Sequence, residues 1–396
     1  MAGIYLHIPF CKQACLYCNF HFSTSMRSRN DFVMALLKEM TMRKEYLDGE
    51  PVETVYLGGG TPSLLMPGEL ERIIEKLFLE FTIDKNIELT LEANPDDISH
   101  ASLADWKKNG INRLSIGVQS FFQEELSWMN RAHDAGQALN AVRLAQDSGF
   151  SNISIDLIYG SPFPDEGEGR WEKNIAQAIS LNIPHLSCYA LTVEPKTALQ
   201  SRILEKKMPP VDPGRQADQF FLLMERLEKA GYEHYEISNF ALPGRRSQHN
   251  SAYWQGKKYL GLGPSAHSFN GISRQWNIAN NQLYIQALGK NTLPFEIEWL
   301  TPVQRLNEYI MTSIRTREGI DLSHVSENFG NSAAESILSG SGSYFRDLKL
   351  EQKDSRLVLT KEGKLFADGI ASALFFERNE TLPFSGHVRQ TGPSRT

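Results

Sequence analysis

Cysteine is scarce in this chain of 396 residues. There are four, and three of them sit at positions 11, 15 and 18 within the single stretch CKQACLYC. Cys188 stands alone far downstream. So uneven a distribution excludes a disulfide framework and points to a reducing compartment with a metal or redox role for the cluster. Long apolar runs are also missing. No stretch approaches the ~18 consecutive apolar residues of a membrane span. The opening MAGIYLHIPF has neither a basic start nor an extended apolar segment, so no secretory leader is expected and the expected location is cytoplasmic. An excess of positive charge is missing too. Lys plus Arg number 41 against 47 Asp plus Glu, a net charge of −6. That balance argues against a protein that coats nucleic acid.

Hydrophobic residues make up 41% of the chain, enough for a sizeable core. At roughly 100–200 residues per domain, two or three domains are expected. The first 240 residues alternate between two periods. Strand-like runs recur at GIYLHIPF (3–10), TVYLGGG (54–60), IELTLEANP (87–95), RLSIGVQS (113–120), NISIDLIYG (152–160) and HLSCYALT (185–192). Helical stripes lie between or after them: Phe32, Val33, Leu36, Leu37 and Met40; Leu70, Ile73, Ile74, Leu77 and Phe78; Ala217, Phe220, Phe221, Met224 and Leu227. Each stripe follows the i, i+3, i+4, i+7 spacing of one helix face. Six strand–helix units imply a parallel sheet, doubly wound or curled like a barrel, because a parallel crossover needs a helix-length connection.

Past residue 300 the pattern changes. TPVQRLNEYIMTSIRTREG predicts a helix with Thr301 as N-cap, Pro302 in its first turn and Gly319 as stop. LKLEQ and RLVLT flank the turn-like KDS, and a last helix is expected over about 361–376. Helices followed by a hairpin resemble a small winged-helix module, but no basic surface calls for DNA, and a small α+β cap satisfies the same pattern.

Three cysteines within eight residues of loop are not core patterning. Two chemistries suit them. Cys11, Cys15, Cys18 and His21 have the ligand types of a closed Cys3His zinc site. An iron–sulfur cluster is the other reading. A four-iron cluster is ordinarily held by four cysteines, so three would leave one iron with a position for an exchangeable ligand.

CxxxCxxC directly after a first strand, followed by a Gly-rich end to the next strand, resembles the radical S-adenosylmethionine (SAM) superfamily. The resemblance implies an α/β fold, a partial (β/α)6 barrel. It also implies a [4Fe–4S] cluster on Cys11, Cys15 and Cys18, with the fourth iron chelated by the amino and carboxylate groups of SAM. Carried over position by position, the triplet Gly58, Gly59, Gly60 with Thr61 would bind the methionine amino end, where glycines let a backbone approach closely. Glu92 in EANP, Gln119 in GVQS, Arg131, Asp156 in IDLIYG and Ala190 fall at or just beyond the ends of strands three to six. Ligands of parallel barrels gather at that end. Tyr5 and Tyr17 resemble adenine-side or cluster-flanking positions. Cys188, in the apolar HLSCYALT, is expected to be a buried free thiol.

IYLHIPFC, YLGGGTPS, LEANP and GVQSF together resemble the oxygen-independent coproporphyrinogen III oxidase group over roughly residues 3–290. The 300–376 module resembles that group's C-terminal domain. The group includes a dehydrogenase and haem chaperones. The dehydrogenase carries a further cysteine two residues after the third, where this sequence has Phe20, and an N-terminal extension expected to be absent here. HNSAYW (249–254) matches the HNxxYW motif of the chaperones. This nominates His249 as ligand or positioning group for haem iron, Asn250 beside it, and Tyr253 and Trp254 as flat packing surfaces. His267, in GLGPSAHSF, is a second candidate in a setting that suits a structural turn equally well.

The expected function is a haem chaperone that binds haem and passes it to an acceptor protein, carrying a [4Fe–4S] cluster and exchangeable SAM. No catalytic residue is singled out. The alternatives are oxidative decarboxylation of coproporphyrinogen III by radical SAM chemistry, and a structural-zinc protein. Expected partners are haem and an acceptor, with peripheral membrane association through that acceptor and no nucleic acid. The expected domains are a SAM core with haem-binding extension (1–290), a C-terminal domain (291–378) and a disordered tail (379–396).

Overall fold

The computed structural model describes residues 2–163 and 169–377; the tail expected at 379–396 lies outside them. Six strands run parallel, each paired with the next in sequence. They are β1 (Ala2–Ile8), β2 (Val52–Gly59), β3 (Ile83–Ala93), β4 (Arg113–Gln119), β5 (Ile153–Tyr159) and β6 (His185–Ala190). Between them run α1 (Arg29–Arg43), α2 (Pro67–Glu80), α3 (His100–Lys108), α4 (Gln123–Trp128) with α5 (Ala135–Asp147), and α6 (Arg170–Ser180). After β6 come α7 (Ala198–Leu204) and α8 (Pro213–Lys229). The six expected strand–helix units are present.

The sheet does not close on itself. Beyond β6 it continues through the antiparallel β8 (Asn239–Ala241) and β7 (Glu233–Glu236). After α9 (Gln248–Trp254) the chain returns on the far side as β9 (Tyr259–Leu262), parallel to β1. β10 (His267–Phe269), β11 (Ser273–Asn277), α10 (Asn281–Gly289) and β12 (Phe295–Trp299) follow. The strand order is β12-β11-β10-β9-β1-β2-β3-β4-β5-β6-β8-β7. These short outer strands were not legible as such in the sequence.

Strand alternation sorts the side chains. Ile4, Leu6 and Ile8 on β1, Val55 and Leu57 on β2, and Ile153, Ile155 and Leu157 on β5 join the apolar core beneath the helices. From α2 that core takes Leu70, Ile73, Ile74 and Leu77, each worth about 1.5–3 kcal/mol when fully buried. Phe78, the fifth member of the expected stripe, is exposed.

The opposite, inner face of the strands is polar. At its lower end, where the strands begin, the groups form a hydrogen-bonded belt. Ser154 Oγ meets His185 Nδ1 at 2.7 Å, and His185 Nε2 meets the Tyr235 hydroxyl at 2.7 Å. Glu88 Oε1 accepts from the backbone N–H of Gln248 at 3.0 Å and of His249 at 3.1 Å, the first residues of α9. Arg113, 1% exposed, brings Nε to 4.0 Å from Glu88 Oε2. An anion at a helix N-terminus meets unpaired donors there, so Glu88 fixes α9 across this end of the barrel.

The chain divides between Glu298 and Trp299, slightly past the expected boundary at 290/291, because β12 joins the large sheet. In the second unit α11 (Pro302–Ile314) begins where Thr301 Oγ1 accepts from Gln304 N at 3.2 Å. It ends before Gly319, which turns the chain with φ +68°. β13 (Ile320–Asp321), α12 (Leu322–Phe329), α13 (Asn331–Gly340), α14 (Gly342–Arg346), the hairpin β14 (Leu350–Lys353) and β15 (Arg356–Leu359), and α15 (Ala367–Ala373) complete it. Its sheet order is β13-β15-β14. Among the described residues no helix is long and apolar enough to cross a membrane.

Glu88→Ala would strand the buried Arg113 charge and release α9. Breaking a buried ion pair from one side costs about 3–5 kcal/mol, so urea unfolding should shift to markedly lower concentration. An unchanged midpoint would show that the belt does not hold this end closed.

Candidate functional site

The upper end of the barrel is where β1 to β6 terminate, and the loop that carries the cysteines leaves from β1. Hydrogen bonds pin it on several sides. Cys11 N donates to Ser23 O and Ser23 N to Pro9 O, at 3.0 and 2.8 Å. Leu16 N donates to Met129 O, Leu199 N to Leu16 O, and Asn130 Nδ2 to Ala14 O, at 3.1, 2.8 and 2.7 Å. Lys12 pairs with Asp96 and Asp97. The loop is thus fastened to segments that follow β3, β4 and β6.

Glycine has a definite task here. Gly59 adopts φ +107°, and a Cβ at Gly60 would lie 2.6 Å from Phe10 O. Only an unsubstituted backbone lets the cysteine loop cross the end of β2. The triplet was read as making room for a ligand; at Gly60 it makes room for the protein's own chain.

Cys11, Cys15 and Cys18 line one cavity of about 420 Å³, together with Tyr17, Gly59, Gly60, Thr61, Glu92, Gln119, Arg131, Asp156 and Ala190. Two sulfurs receive hydrogen bonds: Thr61 Oγ1 donates to Cys11 Sγ at 3.6 Å and Arg131 Nη1 to Cys15 Sγ at 3.2 Å. Burial pushes the Cys11 thiol up to about 11, and that of Cys18 upward as well. Metal binding at these sulfurs must therefore displace protons. Among the described residues no three His, Cys, Asp or Glu side chains converge on one ion-sized point. His21 Nε2 meets Asn281 Oδ1 at 2.7 Å. His21 does not line the cavity of the cysteines, whereas three thiols around one cavity, two with donors aimed at sulfur, suit a sulfur-ligated group.

Arg131 was expected to contact SAM. Its guanidinium lines the cavity and spans Cys15 Sγ, Asn94 Oδ1 at 2.7 Å and Gly117 O at 2.9 Å, which makes it a brace for the cysteine loop. Asn94 escaped the sequence reading although it lies in the quoted EANP. Its Nδ2 donates to Thr61 Oγ1 at 3.3 Å. Pro95 forces the residue before it to stay extended, a signal that Asn94 ends its strand at the cavity. Gln119 holds φ +66°, uncommon for a side-chain-bearing residue and frequent at ligand sites.

Two carboxyls face the cavity from the inner wall. Burial raises Glu92 to about 7, against hydrogen bonds from the Tyr56 hydroxyl at 2.7 Å and Gly59 N at 3.2 Å. Burial raises Asp156 to about 6, offset by a hydrogen bond from Ser187. Tyr5 does not reach the cavity wall. Its hydroxyl lies 3.2 Å from His7 Nδ1, and its ring stacks on Tyr56 at 6.2 Å. Cys188 is a buried free thiol in the core, remote in role from the other three.

His249 lies elsewhere. It is 2% exposed within the lower belt, with Nδ1 2.8 Å from Thr54 Oγ1 and Nε2 2.9 Å from the Tyr253 hydroxyl. Burial drives its pKa down to about 3, and its ring stacks on Tyr56 at 5.1 Å. With both nitrogens engaged and no solvent access, His249 has no coordination position to offer iron in this structure. Here His249 braces α9 from within the belt, away from the cavity of the cysteines. Asn250 and Trp254 share that helix but do not line the cavity of the cysteines.

Residues 5–169 match the Radical SAM superfamily and residues 300–366 the HemN C-terminal domain. The protein named heme chaperone HemW from Mycobacterium tuberculosis is 33% identical over 377 residues, covering 94% of each chain. The protein of that name from Bacillus subtilis is 31% identical over 387 residues, 95% of this chain and 100% of its own. That from Escherichia coli is 38% identical over 269 residues, covering 67% and 69%. The coproporphyrinogen III oxidase (HemN) structure from E. coli superposes with a TM-score of 0.81 at 24% identity, over 94% of this chain and 90% of its own. That likeness shows the fold.

Tyr56→Phe removes the hydrogen bond that favours ionised Glu92. A hydrogen bond to a charged group is worth about 1.5–3 kcal/mol, so the carboxyl should titrate about one unit higher or more. Infrared difference titration of the carboxyl band measures this, and an unmoved midpoint would remove Tyr56 from the control of Glu92.

Proposed function

The chain belongs to the radical SAM superfamily and, within it, to the family of the HemW heme chaperones, and we propose that it carries haem for delivery to an acceptor protein. In this reading Cys11, Cys15 and Cys18 hold a [4Fe–4S] cluster, and SAM takes the iron they leave open. The observation that supports the cofactor set most strongly is the single cavity where three thiols, two sulfur-directed donors and two half-buried carboxyls meet. When bound, the cluster would supply an electron-transfer centre with one exchangeable coordination position.

The chain's own residues then divide the work. Arg131 and Thr61 donate to thiolate sulfur and spread its negative charge, as charge-assisted hydrogen bonds do. Glu92 and Asp156 accept from hydroxyl or ammonium donors of SAM, since ionised carboxylates only accept. Gly59 and Gly60 offer backbone at close range, and Tyr17, Gln119 and Ala190 wall the cavity. Tyr5 supports Tyr56 from behind. His249, Asn250, Tyr253 and Trp254 serve haem by shaping the protein rather than by ligation.

The chaperone reading is favoured over the dehydrogenase by the relatives' names over nearly the whole chain and by Phe20. Phe20 is 68% exposed on the cavity rim, where the dehydrogenase pattern calls for a fourth cysteine. Anaerobic titration with haem should give a defined complex that passes haem to apomyoglobin. Coproporphyrinogen III with SAM and a reductant should remain unconverted. Turnover of the porphyrinogen would replace the carrier reading with the enzymatic one.

Cluster ligation is tested by iron and sulfide content after anaerobic reconstitution. Cys15→Ser should lose the brown chromophore and Cys188→Ala should keep it; iron loss in the second variant would overturn the assignment.

SAM binding should also depend on pH. Glu92 and Asp156 are raised, so each holds a proton below about 7 and about 6 respectively. A ligand that donates to them favours the ionised forms, so binding expels protons there and affinity falls as pH drops through that window. Glu92→Gln should flatten the upper part of the profile in calorimetric titrations. A parallel, unflattened profile would take Glu92 out of the SAM site.

A further inference from the structure

We propose that haem docks on the inner sheet face beside β1, with His267 as an axial ligand to iron. This rests on the haem-carrier reading and adds a binding site distinct from the cysteine cavity.

Register places the residues. Gly3 pairs with Tyr259 and Tyr5 with Gly261, so β9 continues the inner face of β1. Phe269 pairs with Tyr259, His267 with Trp276 and Phe269 with Arg274. Cross-strand partners share a face, so His267, Phe269, Arg274 and Trp276 form one surface. Exposure alternates accordingly. His267 is exposed and Phe269, Arg274 and Trp276 half-buried, while Ser268, Ser273, Gln275 and Asn277 are buried on the other side.

The surface matches three parts of a haem. Haem iron takes imidazole as a common axial ligand. Neither ring nitrogen of His267 makes a hydrogen bond among the described residues, and partial desolvation with the Arg274 charge shifts its pKa below the ordinary value, which favours the neutral ring. Other imidazoles of the described residues are already engaged: His7, His21, His133, His185, His234, His249 and His324 each have a hydrogen-bond partner. His100 has none, but it opens α3 with no aromatic ring against it. The macrocycle would meet Trp276, whose ring lies 6.2 Å from that of His267, and Phe269. A propionate would meet the Arg274 guanidinium, which lies over Phe269 at 5.6 Å.

Two features hold this face in shape. A side chain at 261 would strike the His267 backbone, which lies directly against Gly261. Tyr253 of the HNSAYW motif packs edge-on against Tyr259 at 4.6 Å, and Tyr259 packs on Phe269 at 6.1 Å. The motif therefore reaches this face through a chain of aromatic contacts, without its histidine touching the ligand.

The test is anaerobic haem titration of the full chain, followed by transfer to apomyoglobin, with unfolding curves recorded in parallel. His267→Ala should shift the Soret band and speed haem loss by at least about tenfold, the lower end of what losing even a supporting group costs a metal site. Added imidazole should restore the band, which a purely structural role would not allow. His100→Ala should match the wild type. If the wild type binds haem and His267→Ala leaves spectrum and transfer rate unchanged, the docking site is overturned and the carrier reading stands. If the wild type binds no haem, the carrier reading itself falls.

Discussion

One buried guanidinium makes the interior of this barrel tolerable. Arg113 stands on the inner face among three carboxyls, the buried Glu88 and the half-buried Glu92 and Asp156. Isolated charges there would be expelled or neutralised. Arg113 offsets all three, and burial, with Arg113 adding to it, depresses the pKa values of His185 and His249, which stay neutral and free to exchange hydrogen bonds with Tyr235, Thr54 and Tyr253. The apolar core lies on the other side of the strands, beneath the helices. The inner face is thereby released from packing duty and can be polar from end to end.

That polarity is used differently at the two ends. At the lower end every group turns inward, and α9 seals it with Glu88 on its first amides. At the upper end the same strands finish in carboxyls, glycines and the cysteine loop, whose anchors to three other segments hold the sulfurs around one cavity. Arg131 and Asn94 join loop to wall. The end that seals and the end that binds are built from the same alternation; what differs is whether a helix covers it.

Much of this was legible in the sequence, for definite reasons. Parallel strands announce themselves through apolar runs and the helical stripes between them, so all six units could be read, whereas their barrel-like arrangement came from the family resemblance. The cavity residues could be read because each sits at a strand end, where motif and register coincide. Arg131 was placed at the right cavity, but its bonds to Cys15, Asn94 and Gly117 were not foreseen, because nothing in sequence says which way a guanidinium turns. The burial of His249 was illegible for a related reason. A histidine amid aromatic residues looks the same in one dimension whether it faces a ligand or a threonine on a distant strand. The outer strands β7 to β12 are short, and their pairings depend on β1 and β6, so local periodicity could not reveal them. In the C-terminal unit α12 and α13 went unread, since each is short and sets only two residues, Val325 and Phe329 or Ala333 and Ile337, into the core.

Tyr56 gives these observations a bearing on descent. Its ring lies against His249 and its hydroxyl holds Glu92, so the sealed end and the binding end share one side chain. A lineage altering position 249 would disturb 54, 56 and 253 together, and through 56 the acid at the cavity. Such positions cannot drift singly; they pass down as one character or are lost as one. Persistence of a motif of this kind records a closed loop of mutual dependence inside the protein, and would do so even had no haem ever touched it.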